Sequence, residues 1–432
     1  MLKYKGHFGV LLFLFLFINS GLSKPLFPDT IIFTLDKAEK IFFEKNLQLL
    51  AQQCNIDAAR AQVLQSRLWD NPVITVNQNV YNTGYNKNGA AKWFPLSDSG
   101  ETSFQVQQII YLAGKRNKRI KLADFTAQKT EYLFYDLLRT LKYQLRSDFY
   151  NLYFSQQSLS VYKKEIESLS KLVGVFENQY QKGYVSKKEL LRLKASLFSL
   201  ENEKLDLENQ LTDTRSDFSL LLRLNNVYPL TEVNNNSIDS VDINNLNINS
   251  LIDTATEYRY DLKAAETDVK FSELNLSYQK VLAIPDLQLI AGWDKNGSYV
   301  HNYNYVGIQV GLPFFNRNQG NIKSAKYTYQ SSQYLYQASR DIVANDIINA
   351  YSKALQNDMV YKQFDKKFND DFASMQDEVL KNYEKRNISL LEFLDFYDAY
   401  KQNSILFNTL QFNRANAFEN LNFSVGKNIV TF

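Results

Sequence analysis

The sequence has 432 residues, of which 49 are basic and 46 acidic, with 45% apolar and 22% charged; this excludes both a disordered chain and a bundle of membrane-spanning helices, which would need several apolar runs of about 20 residues. The formal charge of +3 is too small for the basic footprint of a nucleic-acid binder. A single cysteine, Cys54, excludes an internal disulfide framework and a Cys-rich zinc site, and 15 glycines with 7 prolines, far below the usual ~7% and ~5%, point to few, long elements.

Residues 1–23 read as a secretory signal peptide: Lys3 and Lys5 precede an apolar core from Gly9 to Ile18, and Gly21 and Ser23 supply small residues before Lys24. Their removal leaves 47 basic against 46 acidic residues, so net charge says nothing about partners. Residues 24–224 form the first of two expected repeats. After an opening helix, Ile74, Val76 and Val80 alternate with polar residues, as do Phe104, Val106 and Ile110, which predicts a β-hairpin over about 72–112. Gln78 and Gln108 interrupt its apolar face. No glycine or proline occurs between Gly114 and Gly174, so Lys115 to about Gln181 reads as one very long helix. A helix-helix corner is expected near 183, followed by a helix with a 3-4 apolar seam through Leu190, Leu193, Leu197, Leu200 and Leu207.

The Asn-rich stretch 225–249 reads as a surface linker, and 250–432 as the second repeat. There, Leu287, Leu289, Ala291 and Trp293 alternate with Gln288, Ile290, Gly292 and Asp294, and Val306, Ile308, Val310 and Leu312 with Tyr305, Gly307, Gln309 and Gly311, giving a hairpin over about 285–314. The 105 residues between Gly320 and Gly426 contain neither Gly nor Pro, so they are helical around a corner near 386. The corners match residue by residue: Tyr180, Gly183, Ser186 and Glu189 stand 203 positions before Tyr383, Arg386, Ser389 and Glu392. Shifting the seam by 203 predicts buried positions at Phe393, Phe396, Tyr400, Asn403, Phe407, Leu410 and Arg414.

Four strands per chain cannot close a barrel, whereas three chains would supply twelve, and strands of this length and alternation suit an outer-membrane barrel. Trp69, Trp93 and Trp293 lie in or beside the hairpins, as expected of residues anchored at a membrane interface. A soluble trimeric coiled coil capped by a small sheet stays open on these features.

The order Thr34-Leu-Asp-Lys-Ala, Asn71-Pro72, Leu112-Ala-Gly-Lys-Arg, Tyr258-Arg-Tyr-Asp-Leu-Lys, Pro285-Asp-Leu and Leu312-Pro-Phe-Phe-Asn-Arg-Asn-Gln-Gly resembles TolC-type outer-membrane efflux proteins, above all the branch serving heavy-metal (cobalt-zinc-cadmium or copper-silver) exporters. The resemblance implies a mainly α fold with a membrane β-barrel: a homotrimer with a 12-stranded barrel in the outer membrane of a Gram-negative bacterium, continued by a 12-helix periplasmic tube. It also implies a periplasmic adaptor, an inner-membrane RND-type pump and surrounding outer-membrane lipid as partners. The implied function is a passive exit duct with an acidic gate at Glu392 and Asp395, just after the second corner; six carboxylates in a trimer would attract cations. A non-conducting secreted helical trimer, an adhesin or periplasmic scaffold, is the alternative.

No nucleophile-base pair, phosphate loop or paired-carboxylate pocket is present, so neither an enzyme nor a cofactor is expected. His301 reads as a loop residue, Met359 and Met375 are too sparse for a soft-metal cluster, and no metal site is expected. Lys115, Arg116, Lys118 and Arg119 begin the long helix, where they would set ion preference, meet lipid phosphates or simply be solvated.

Overall fold

Long stretches without breakers fold as long helices, and the computed structural model shows where they stop. It describes residues 29–82, 92–93, 100–233, 241–297, 299–364, 375, 378–383, 385 and 387–431; the signal peptide expected at 1–23 lies outside them. Strand β1 (Asp29–Phe33) leads into α1 (Leu35–Lys45) and α2 (Leu47–Arg67), separated by one extended residue, Asn46. The Asn46 side chain makes that break stable. Its Oδ1 accepts from the amides of Gln48 and Leu49, and its Nδ2 donates to the Leu221 carbonyl at 3.0 Å.

Strands β2 (Val73–Gln78), β3 (Tyr81–Asn82), β4 (Lys92–Trp93) and β5 (Thr102–Ile110) precede α3 (Lys115–Gln181). At 67 residues, α3 is roughly 100 Å long at 1.5 Å per residue. Next come α4 (Lys187–Leu222), β6 (Val227–Thr231), α5 (Ile248–Tyr258) and α6 (Tyr260–Leu282). Strands β7 (Leu287–Asp294) and β8 (Tyr303–Val310), then α7 (Gln319–Gln363) and α8 (Leu390–Val425), complete the order. Arg259 separates α5 from α6 as Asn46 separates α1 from α2. The two breaks are 213 residues apart, the spacing of Pro72 and Pro285.

The sheet has the order β2-β5-β7-β8, every neighbour antiparallel. Its register sorts most side chains by type. Ile74, Val76, Phe104, Val106, Leu289, Ala291, Trp293, Val306 and Ile308 share one face. Thr75, Asn77, Gln105, Gln107, Gln288, Tyr305 and Gln309 share the other, where Tyr305 donates to Gln105 at 3.1 Å, Asn77 to Ser103 at 3.2 Å, and Gln107 to Gln288. The first face also carries Gln78, Thr102, Gln108 and Asn304, and the second Val73, Ile109 and Ile290. The apolar face is open in the single chain, with Val306 86% exposed. The sheet is an open one, with β2 and β8 at its edges.

Halfway along the helices the chain thickens. The stretch 225–249, expected as a linker, contains β6, which pairs in parallel with β1 from Asp29↔Val227 to Phe33↔Thr231. Phe33, Phe42, Phe149, Phe218 and Leu222 pack beneath this pair. Across the girdle, Leu251 and Ala255 of α5 meet Val343, Ile347 and Ala350 of α7 and Phe418 and Leu421 of α8. Asn422 turns the C-terminal segment back onto that core, accepting from the amides of Ile429 and Val430 and donating to the Val430 carbonyl at 2.7 Å.

The girdle is also where charge is buried. Arg146 holds Glu39 at 2.6 Å and Glu419 at 2.9 Å, tying α3 to α1 and α8. Arg259 joins Asp261 at 2.5 Å and Asp346 at 2.9 Å. Arg414, 1% exposed, pairs with Asp358 at 2.8 Å and lies over the rings of Tyr361 and Phe418.

Removing one member of a buried pair strands the other, at about 3–5 kcal/mol. Lys362, itself 2.8 Å from Asp358, softens that cost, so Arg414→Ala is expected to lose about 3 kcal/mol, measured as the fall in thermal midpoint of helical ellipticity in detergent. Asp148 tests the opposite sign: burial, opposed by the Gln144 hydrogen bond and reinforced by Asp217, raises its carboxyl from 3.8 to about 6. A raised carboxyl costs stability wherever it is ionised. Asp148→Asn should therefore stabilise above about pH 6, with the gain fading as pH falls toward 3.8; a gain that persists at pH 3.5 would contradict this.

Candidate functional site

The end of the tube remote from the sheet is built by two corners. After α3, Gly183 takes a left-handed conformation (φ +78°), the Gly183 amide donates to the Tyr180 carbonyl and the Tyr184 amide to the Gln179 carbonyl, both at 3.0 Å. Ser186 then starts α4 with a capping box: its hydroxyl accepts from the Glu189 amide at 3.2 Å, and the Glu189 carboxylate accepts from the Ser186 amide at 3.0 Å. The second corner repeats the device. Ser389 Oγ accepts from the Glu392 amide at 3.2 Å, and the Glu392 carboxylate accepts from the Ser389 amide at 2.8 Å. Arg386 lies outside the described residues.

The tyrosines of the two corners occupy different surroundings. Tyr383 is buried between Phe176 and Phe393, with ring centroids 5.6 and 4.6 Å away and nearly parallel planes, whereas Tyr180 is exposed. Burial, reinforced by the nearby Glu189 carboxylate, pushes the Tyr383 phenol well above its ordinary range.

The two expected gate carboxylates, three residues apart on α8, have different surroundings. Glu392 is committed to its cap, and the Ser389 amide, then the Ser389 hydroxyl, hold it below the usual carboxylate range. A lowered carboxylate keeps its cap above about pH 4.5 and loses it as pH falls through the depressed value. Asp395 lies one turn on, exposed in a 310 Å³ groove bounded by α3, α4 and α8 and shared with Arg192, Glu203, Asp398 and Lys401; Glu392 does not line it. In that groove Lys401 is nearly buried and bridges Glu203 of α4 at 2.8 Å and Asp398 of α8 at 2.7 Å. Burial works to lower its pKa, but the hydrogen bonds to Asp398 and Glu203 outweigh burial and raise it.

Lys401 was not legible in the seam. The expected stripe through Phe396, Tyr400 and Asn403 is displaced by one residue: Tyr397, Lys401 and Ser404 are buried, and the stripes coincide again at Arg414. Steps of four, four and three from Phe393 carry a lysine inward because carboxylates await it there. A polar residue at a helical step from aromatic neighbours was the only available signal.

At the other end, Trp69 stands exposed at the foot of the sheet with Arg116 4.7 Å over its ring. Trp293 lies near the far end of β7 on the apolar face, and Trp93 is placed in β4 by its backbone. The basic cluster that opens α3 is bound to the protein itself. Lys115 is buried against Asp286 at 2.7 Å, Arg116 donates to the Arg67 carbonyl, Lys118 to Ser277 at 2.8 Å, and Arg119 faces Asp70 at 3.9 Å and the Tyr111 ring. These residues fasten sheet to tube. His301 sits in the loop between β7 and β8 with its Nδ1 2.8 Å from Asn296.

The sequence profile of a family described as "Outer membrane efflux protein" matches residues 42–222 and 251–361. The cobalt-zinc-cadmium resistance protein CzcC of Cupriavidus metallidurans is 19% identical over 328 residues, covering 76% of this chain and 74% of that protein. Among solved structures, the fold is similar to the CmeC outer membrane channel of Campylobacter jejuni (TM-score 0.75, 15% identity, 91% of this chain and 86% of that one). It is similar also to the open state of the MtrE outer membrane channel of Neisseria gonorrhoeae (TM-score 0.70, 16% identity, 91% and 89%).

Lys401 ties the remote half of α8 to α4. Lys401→Met should speed amide hydrogen exchange around residues 394–405 by an order of magnitude or more while leaving the girdle segment 414–425 unchanged. Equal protection in the variant would show that apolar packing alone holds that end.

Proposed function

The chain belongs to the outer membrane efflux protein family and is an outer-membrane efflux channel, and we propose on that premise that three copies close its sheet into a 12-stranded barrel continued by a 12-helix periplasmic tube. The observation that carries this reading is the two-faced sheet: an apolar face for lipid and an amide-rich face for an aqueous lumen. Its edges fit closure. Strands β2 and β8 run in opposite directions, so β8 of one copy can pair antiparallel with β2 of the next. The matched helix breaks at Asn46 and Arg259 and the matched capping boxes at Ser186 and Ser389 support two repeats per chain, 24–224 and 250–432.

The corners at Tyr180–Glu189 and Tyr383–Glu392 would form the periplasmic tip that meets an adaptor protein and, through it, an inner-membrane RND-type pump. Threefold symmetry would gather Glu392 and Asp395 into six carboxylates around the axis, with the cap keeping Glu392 charged. Such a ring favours cations, in keeping with a relative named for resistance to cobalt, zinc and cadmium, and we assign divalent metal cations as the cargo. A secreted scaffold would have no use for an exposed apolar sheet face, so the non-conducting alternative is not favoured.

Recovery in the outer-membrane fraction and stepwise conductance in planar bilayers are the expected outcomes; soluble periplasmic protein without conductance would sink the duct. For the gate, Glu392→Ala combined with Asp395→Ala should raise single-channel conductance severalfold and relieve block by divalent cations. Unchanged conductance and block would remove both residues from the constriction.

A further inference from the structure

The chain passes from strand to long helix twice, and the two junctions treat their cations differently. At the start of α3, Lys115, Arg116, Lys118 and Arg119 each contact an acceptor of the protein itself. At the start of α7 the cations are Arg317, Lys323 and Lys326, joined across the seam by Lys280 in the last turn of α6. Among the described residues none of these four makes an ion pair. Lys280, Lys323 and Lys326 line an open groove of 660 Å³ together with Leu276, Ile322 and Tyr329, and no carboxylate lines it. Directly above, between β8 and α7, Leu312, Phe314 and Phe315 stand out from the protein, Phe315 at 95% exposure.

We propose that this groove is a binding site for an anionic phospholipid of the periplasmic leaflet, its phosphate held by Lys280, Lys323 and Lys326 and its acyl chains lying on the shoulder of Leu312, Phe314 and Phe315. The inference rests on the outer-membrane placement of the sheet. Charge complementarity selects the occupant. A cationic groove just below an apolar, aromatic shoulder matches a molecule that is anionic at its head and apolar above it, and each cation near an anionic surface strengthens binding roughly fivefold. A second copy of the chain is a poorer match. The α2 helix has one carboxylate, Asp57, ten residues short of its upper end, and β2 has none. Asp70 between them is already engaged by Tyr111 and Arg119.

The test uses the full-length protein reconstituted into vesicles of phosphatidylcholine containing an equal share of phosphatidylglycerol, then extracted in detergent, with the co-purifying lipid quantified by mass spectrometry. Phosphatidylglycerol should be enriched about tenfold over the bulk ratio. Lys280→Gln with Lys323→Gln and Lys326→Gln should return it to bulk, Lys→Arg at the same three positions should keep it, and Lys163→Gln with Lys164→Gln and Lys353→Gln, distant exposed lysines, should keep it too. Enrichment that survives the triple Gln variant, fails with the Arg variant, disappears in the distant-lysine control, or is displaced by equimolar inorganic phosphate would overturn the site. A triple Gln variant that loses self-association but retains its lipid would assign the groove to a contact between copies and likewise overturn it. Failure to insert into vesicles of any composition would instead sink the membrane placement, whereas insertion without lipid preference would overturn this inference alone.

Discussion

Unpaired backbone is the constraint on which the rest of this structure depends. A four-stranded sheet with one mainly apolar face is suited to hydrocarbon, yet within hydrocarbon each N–H and C=O left at an edge costs several kcal/mol. The chain therefore cannot use its own sheet alone, and the proposed closure with further copies would satisfy β2 and β8 at once. Everything below the sheet follows from holding that closure in register. The salt bridge of Lys115 to Asp286 and the hydrogen bond of Lys118 to Ser277 fix the angle at which α3 leaves β5 relative to α6 and β7.

A tube of long helices has little apolar interior, because each helix packs against neighbours in the wall and has a lumen or solvent on its remaining faces. This chain thickens at one level, with β1, β6, α1, α5 and the C-terminal turn wrapped around the helices, and it buries its arginines there. Ion pairs of this kind are weak sources of net stability, but they penalise any slippage that separates the partners. Arg146 reaches both α1 and α8 from α3, so the register of three helices is set by one guanidinium. Axial register matters more to a tube than depth of stability, since a slip of one turn would carry the corners out of a common plane.

The parts of this arrangement that were readable in the sequence are those governed by local rules. Scarcity of Gly and Pro gave the extent of α3, alternation gave the sheet's two faces, and the repeat at a spacing of 203 residues placed both corners. The pairing of β1 with β6 was hidden because its partners lie about 200 residues apart, each strand has only five residues and β6 contains Pro229. The buried stripe of α8 was misread between 396 and 403 for a related reason. Aromatic residues occupy both candidate stripes, and what selects Tyr397, Lys401 and Ser404 is Glu203, on a different helix. The cluster at Lys115–Arg119 looked free to meet ions or lipid because its protein partners, Asp70, Ser277 and Asp286, are remote in sequence.

The site chemistry also divides labour between the two ends of the molecule. Along the described strands, the amide-rich face is mostly uncharged: Gln107 donates to Gln288 and Tyr305 to Gln105. Neutral amides that satisfy each other hold a diffusing ion only weakly, so the proposed barrel would contribute passage and little selection. Charge is concentrated instead at the remote end, where Asp395, Asp398, Glu203, Arg192 and Lys401 share one groove and Glu392 sits one turn away. Lys401 neutralises part of that acidity from within the wall, leaving Asp395 exposed in the groove, while Glu392 and Glu189, each held in its cap, are exposed carboxylates of the two corners. Because the cap that starts α8 is also what keeps Glu392 ionised, the charge at the tip and the fold of the second corner depend on the same serine.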